Sequence, residues 1–448
     1  MQQVAWVSRQ LTGALALAVL ALGVRLYYVH TAVVVDPIRG DAVQYLIYAI
    51  NLLDHHVFSM QTQGTLLADG FRDPGYPSFL ATLMAVAGRQ QTFYLTVLNV
   101  QCALSACTVA MYSMLARRWI GTGAGIVVGL GMAFWPHAIT LAGYLLSETL
   151  VGFLYALALV LLQAACDRRS ALFGAASGLA FAAAALTNAT LMPVVSLFGL
   201  IALWRDRDRR TIWAMMLGAA LIPMTAWSIR DANLPSGASD GAGDRVAMNF
   251  VQGSWPEYHA AWSAAVIRRE DAARAVLNAI DTEYDLLRKD RSAGLSSIFR
   301  RFSSEPLRYA IWYLSKPIEL WGWEIGIGNG GIYVFPTRQS PLSGSGLLRL
   351  TTDLLFIVNP LLMVLACVGT IVVIATAQVR PAPLVLGAFT ILLLTSIFMI
   401  LQADARYAVP YRGIEWILAA AGWSWCAGAT RKRAPDYLQT VSADTASR

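Results

Sequence analysis

Two carboxylates and three arginines in this 448-residue chain sit where their types and spacing could do chemistry. In DPIRGDAVQYLIYAINLL (36–53), Asp36 and Asp41 follow directly after the first long apolar run. Asp41, Tyr45 and Tyr48 fall on one face of a helix that starts near Asp41. A carboxylate at a helix N-terminus is kept ionised by the helix dipole, which suits a general base. It suits an N-cap equally. In RDPGYP (72–77), Pro74, Gly75 and Pro77 fix a turn and start a helix, which aims Arg72 at a fixed point. A guanidinium matches phosphate geometry, although a snorkelling arginine would read the same way. Glu148, in YLLSETL, begins the fourth apolar run, where a carboxylate is costly and calls for a function. Arg230 ends the seventh run in WSIRDA. Arg406 and Tyr407 stand in ADARYAVP before the last run, with Asp404 as a partner for the arginine. Arg412 and Glu415, at a spacing of three, can pair on one helix.

The elements that must hold these residues are apolar helices. The residues AVILMFWYC make up 57% of the chain and the charged residues 14%, against about 25% charged in soluble domains. The mean hydropathy is +0.53. These values exclude a soluble globular enzyme, a disordered chain and a disulfide-rich secreted module. The apolar residues come in long runs, which excludes an outer-membrane barrel as well. Five cysteines, all in or beside apolar runs, show no metal-ligand spacing. Runs of about 20 residues predict ten spans, at 8–29, 93–115, 120–138, 143–165, 171–187, 189–204, 211–228, 353–377, 382–402 and 408–428.

The net charge of +7 comes largely from arginines in alternate short loops. Arg9, Arg117, Arg118, Arg168, Arg169, Arg205, Arg207, Arg209, Arg210, Arg380, Arg431, Lys432 and Arg433 lie on one side. The opposite short loops hold Arg406 alone. This is the positive-inside pattern, so the basic balance implies a membrane and no nucleic acid. It predicts both termini in the cytoplasm. Two segments then face outward: 30–92, with two surface helices near 41–54 and 75–88, and the mainly helical 229–352. The expected divisions are an N-terminal membrane module (1–228), the outer segment (229–352), C-terminal spans (353–433) and a polar cytoplasmic tail (434–448). In the outer segment, Trp312, Tyr313, Trp321 and Trp323 suit an interfacial belt or packing against the spans.

With this topology Asp41, Arg72, Glu148, Arg230 and Arg406 meet one membrane surface at similar depth. Arginines for an anionic headgroup beside a carboxylate that can take a proton point to chemistry on a lipid phosphate.

In these residues the chain resembles the GT-C glycosyltransferases. The resemblance is to the branch of bacterial protein O-mannosyltransferase-like enzymes and the aminoarabinose transferase of lipid A. It is carried by GDAVQYLIYAINLL after the first span, RDPGYPSFLATL, SETL, WSIRDA and DARYAVP, in that order along the chain. It implies an all-α polytopic fold and transfer of a sugar from a polyprenyl-phosphate donor, in bacteria undecaprenyl or decaprenyl phosphate. The acceptor is an envelope glycan, lipid or protein on the periplasmic face of the inner membrane, and the anomeric carbon is inverted. By this resemblance Asp41 is the base or the acceptor-positioning carboxylate, assisted by Glu148. Arg72, Arg230 and Arg406 hold the donor phosphate. Tyr45, Tyr76, Tyr407 and His137 are candidate substrate contacts, although Trp135-Pro136-His137 also reads as the end of the third span. A divalent metal is possible, and no acidic cluster requires one. The alternatives are a flippase or transporter of a polyprenyl-linked or anionic lipid, and a non-catalytic lipid binder. Charges at one face and the lack of a repeat favour the enzyme over a transporter.

Overall fold

The computed structural model describes residues 2–89, 91–234, 241–344 and 346–433. The expected polar tail at 434–448 lies outside them. The described chain is almost wholly helical, and its one sheet is a two-strand antiparallel pair. The helices follow the apolar runs. They are α1 (Gln2–Thr31), then α2 (Asp41–His55) and α3 (Gly75–Ala87) in the first loop, then α4 (Gln91–Trp119), α5 (Thr122–Phe134), α6 (Pro136–Ala142), α7 (Glu148–Arg168), α8 (Ala171–Ala185), α9 (Met192–Arg205) and α10 (Arg210–Ala232). The long segment adds α11 (Ala242–Gly253), α12 (Tyr258–Trp262), α13 (Asp271–Lys289), α14 (Arg291–Ser304) and α15 (Pro306–Trp321). The chain then forms α16 (Leu347–Ala375), α17 (Ala382–Ile400), α18 (Ala405–Ala408) and α19 (Arg412–Arg433). Strands β1 (Val33–Val34) and β2 (Thr337–Gln339) pair the start of the first loop with the end of the long segment.

Each of the ten predicted spans is helical, but they are not equal. Among the described residues six helices are long and apolar enough to cross a membrane: Thr12–Thr31, Thr92–Trp119, Glu148–Arg168, Arg207–Ala232, Leu347–Ala375 and Ala382–Ile400. The protein is a multi-pass membrane protein. The segment predicted as one span at 120–138 is α5 and α6, bent by 50°. Pro136 opens α6 and has no N–H to continue the ladder of α5. The segments at 171–187 and 189–204 form the shorter apolar helices α8 and α9, parted by Thr187 and Asn188 and a single 3-10 turn. Arg412 and Glu415 sit in the first turn of α19, which covers the last predicted run.

Small residues let these helices approach closely. A Cβ on Gly369 of α16 would stand 1.8 Å from the Leu418 carbonyl of α19, and one on Gly422 would stand 2.2 Å from the Leu365 carbonyl. The main core runs through α4, α7, α8, α16, α17 and α19. A second, smaller core of Val251, Tyr258, Ile280, Leu287 and Ile298 belongs to α11–α14. Helices α11–α14 thus share a small core of their own, whereas Leu320, Trp321, Ile325, Val334 and Phe335 further along the same segment belong to the main core.

Candidate active site

Asp41 is the first residue of α2, after Gly40, whose φ of +57° turns the chain into the helix. Its side chain caps nothing. Its two oxygens go instead to two arginines from distant parts of the chain. Arg72 Nη2 donates to Asp41 Oδ1 at 2.6 Å, and Arg406 Nη2 donates to Asp41 Oδ2 at 2.9 Å. Arg406 Nε also donates to Glu148 Oε1. The result is a continuous chain of alternating charge, Arg72–Asp41–Arg406–Glu148.

Each member is held by its own element. Arg72 Nε donates to Gln44 Oε1 at 2.6 Å, one turn along α2, and the guanidinium lies 5.2 Å over the Tyr45 ring. The RDPGYP turn behind it is lodged against the end of α8. The Gly75 N–H donates to the Leu186 carbonyl, and a Cβ at Gly75 would stand 2.2 Å from the Thr187 hydroxyl. Arg406 sits on α18, whose cap is Asp404. That carboxylate accepts the backbone N–H of Arg406 at 2.8 Å and of Gly326 and Ile327 at 2.9 Å each. Asp404 is thus the fastener of the loop, and its expected role as ionic partner of Arg406 falls to Asp41 and Glu148. Glu148 opens α7, where the helix dipole favours its charge.

Burial gives the site a direction. The side chains of Glu148, Arg406, Arg72 and Asp41 are 7%, 9%, 13% and 31% exposed. The chain is therefore sealed at Glu148 and open at Asp41. Burial alone would raise the Asp41 carboxyl, but the neighbouring guanidiniums of Arg72 and Arg406 outweigh it and hold the group well below the usual carboxylate range. Arg406 is buried, yet Glu148 and Asp41 raise its guanidinium further above its ordinary value. One oxygen, Glu148 Oε2, is buried with no hydrogen-bond partner. A buried polar atom left unsatisfied is uncommon and marks a place for a water or a ligand group.

The other predicted residues divide. Tyr45 lines the cluster beneath Arg72 and meets Tyr76 edge-on at 5.0 Å. The Tyr76 hydroxyl is fully buried and donates to Gln101 Oε1 at 2.7 Å, which places it in the support of the site. Tyr407 follows Arg406 and stacks on Phe398 at 5.1 Å. Arg230 is not in the cluster. It donates to the Asp69 and Asp231 groups and to the Phe58 carbonyl, and stacks on Trp227 at 4.7 Å. His137 is elsewhere too. It is buried between Trp135 and Trp323, with Nε2 2.7 Å from the Trp323 carbonyl.

Two residues passed over in the sequence matter here. Asp69 is fully buried and accepts from the Tyr48 hydroxyl, the Met60 N–H at 2.7 Å and the Phe71 N–H at 3.2 Å, so it organises the loop that presents Arg72. The LADGF context carries no periodic signal for it. Tyr258 comes from α12 in the long segment. Burial first, then the charges of Asp41, Asp281 and Asp404, push its hydroxyl above the usual phenol range. It packs in the small core of α11–α14, and the charge of Asp41 reaches it across the gap between the two regions, a coupling that no local pattern announces. Among the described residues no three His, Cys, Asp or Glu side chains gather to hold a metal ion.

No protein-family model matches the chain, and no curated protein matches it. Solved structures do. One is the archaeal oligosaccharyltransferase AglB from Archaeoglobus fulgidus in complex with an inhibitory peptide and a dolichol-phosphate. The identity is 12% and the TM-score 0.47, over 93% of this chain and 50% of that one. Another is ArnT from Cupriavidus metallidurans bound to undecaprenyl phosphate, at 14% identity and a TM-score of 0.37, over 93% of this chain and 77% of that one. Both are GT-C glycosyltransferases. This chain spans half the length of the oligosaccharyltransferase. Identities this low leave its reaction to be argued from its own side chains.

Proposed function

We propose that this protein is a membrane glycosyltransferase that moves a sugar from a polyprenyl-phosphate donor to a hydroxyl or phosphate acceptor, with inversion. The acceptor would be an envelope glycan, lipid or protein at the periplasmic face of a bacterial inner membrane. The observation that supports this reading is Asp41 bridging Arg72 and Arg406 as the most exposed member of a largely buried charge chain. Two guanidiniums converging on one carboxylate are also two guanidiniums placed for one phosphate.

The reaction follows from that exchange. The donor phosphate takes over the guanidiniums of Arg72 and Arg406. Asp41, no longer neutralised by them, returns toward an ordinary carboxylate and can accept a proton. An acceptor hydroxyl attacks the anomeric carbon and gives its proton to Asp41. The bond from that carbon to the phosphate oxygen breaks, and its electron pair leaves with the polyprenyl phosphate. The arginines stabilise the charge that grows on the leaving oxygen. A phosphate leaves well without a general acid. Glu148 keeps Arg406 in place throughout.

The test uses a strain that lacks the protein. Its envelope glycans and polyprenyl-phosphate lipids are compared by mass spectrometry with strains complemented by wild type or Asp41→Asn. The reading expects one sugar to vanish from a glycan, its polyprenyl-phosphate form to accumulate, and only wild type to reverse both. Full restoration of the glycan by Asp41→Asn would remove Asp41 from the chemistry.

A further inference from the structure

Helix α15 belongs to no predicted span, yet it carries an apolar stripe that the described residues leave exposed. Leu307, Ile311, Leu314 and Ile318 repeat at helical spacing and are 72%, 59%, 73% and 63% exposed. Leu354, Ile357 and Leu361, on the lipid-facing side of the spanning helix α16, are 56%, 72% and 55% exposed. The stripe is therefore as bare as a membrane-spanning surface.

Its hydrogen bonds fix its depth. Lys316 Nζ donates to the Met399 and Leu401 carbonyls, at 3.0 and 2.9 Å, where α17 ends. Five residues further on, Trp321 Nε1 donates to Thr395 Oγ1 at 2.9 Å, inside α17. The Trp321 carbonyl accepts from Arg412 of α19 at 3.0 Å. So α15 runs down along α17, antiparallel to it. The 19 residues of α17 span about 28 Å, close to the ~30 Å hydrocarbon core. By this register Ile318 lies below the end of α17 and Leu314 just above it. Leu307, nine residues before Lys316, lies about 14 Å further out. Trp312 and Tyr313 flank the descent, as aromatic residues do at a membrane interface. The preceding helix α14 bears exposed Arg291 and Arg300, suited to anionic headgroups.

We propose that α15 is half-inserted into the leaflet on the side of the Asp41 site, with the Leu307–Ile318 stripe facing lipid. The occupant of the stripe is the hydrocarbon and headgroup zone of that leaflet. The long segment is then anchored in the bilayer through α15, and its height beside the spans is set by the membrane as well as by protein contacts.

The experiment uses the full chain in lipid nanodiscs with its five cysteines replaced by alanine. Single cysteines at positions 307, 311, 314 and 318 carry a nitroxide. Asp271, whose side chain is 93% exposed, gives the water reference, and Ile357 the lipid reference. Power saturation compares access of oxygen and of a polar nickel complex. At 318 and 314 the oxygen-to-nickel ratio should exceed that at 271 by about tenfold, since polar groups are excluded from hydrocarbon. The ratio should then fall through 311 to 307. Labels at 314 and 318 that read like 271 would overturn the proposal. So would labels shielded from both reagents, which would place a second copy or another protein on the stripe. The unsubstituted chain gives a second readout. A membrane-partitioned aryl diazirine should label residues 306–321 along with α16, and labelling of α16 alone would refute insertion.

Discussion

Two of the buried arginine–carboxylate clusters among the described residues are built to opposite ends. Arg412 and Glu415 sit one turn apart on α19, 0% and 2% exposed and 2.8 Å apart. Arg412 spends its remaining donors largely on the Trp321 and Gly322 carbonyls and lies over the Trp135 ring. This pair ties α15 to α19, and its partners come with the fold. In the Arg72–Asp41–Arg406–Glu148 chain, each partner comes from a different element, and the shared carboxylate of Asp41 is open to solvent. A closed pair serves the structure. An open chain, in which one carboxylate is shared by two guanidiniums, can exchange a carboxylate for a phosphate.

That contrast can be broken by substitution, most severely at the closed pair. Arg412→Ala should cost ~3–5 kcal/mol, because it strands a buried carboxylate. Folded protein should be lost from membranes, as read by size-exclusion profile and thermal melting. The double change Arg412→Met with Glu415→Leu should recover most of that loss, and if it does not, the pair does more than neutralise itself. At the open chain the expected damage is to turnover instead. Asp41→Asn should slow sugar transfer ~10²–10⁴-fold. Polyprenyl-phosphate binding should stay equal or tighten, because the arginines are released. Weaker binding in that variant would mean that Asp41 organises the site and does not compete with the ligand. Arg230→Gln and His137→Gln sharpen the contrast from outside both clusters. Each should lose ~1–3 kcal/mol of stability through stranded partners, with turnover of the folded protein little changed.

The smallest effect is in pH. Asp41 is held below the carboxylate range, so the stability that its arginines give it is present above about pH 4 and is lost only as pH falls through that lowered value. It should contribute no slope near neutrality. Lys316 should. Burial lowers its ammonium to about 7, whereas the unfolded chain keeps its proton up to ~10.4. The unfolded state therefore binds more protons between these values, and stability should rise with pH across that window. Lys316→Met should flatten the rise, as measured by melting temperature in a buffer series.

The sequence read well where physics is local. Every predicted apolar run is mainly helical, with the run at 120–138 broken into two helices, the two surface helices of the first loop form at 41–55 and 75–87, and the Arg412–Glu415 pair closes as its spacing implied. Asp41, Arg72, Glu148 and Arg406 do converge. What could not be read is non-local. Arg230 has the composition of a site arginine, but backbone carbonyls of the first loop claim it. Asp404 stood two residues from Arg406 and was paired with it on proximity, whereas its geometry makes it a cap. Trp135-Pro136-His137 reads as the end of the third span, whereas Pro136 opens a second helix bent by 50° from the first. Asp69 and Tyr258 gained their importance from contacts that leave no period or motif behind.

The bond between Arg406 and Asp41 joins residues 365 positions apart. At ~5–20 residues per second, a ribosome needs roughly 20 to 70 seconds to cover that interval. Asp41 meets Arg72 early in that interval, but its second cation comes only at the end, and Glu148 waits 258 residues for the same arginine. The last helices to enter the membrane therefore complete the site that the first ones began. A chain stopped between residues 148 and 406 would carry Glu148 without its cation and Asp41 with Arg72 as its one partner, a mark by which membrane quality control could tell an unfinished molecule from a finished one.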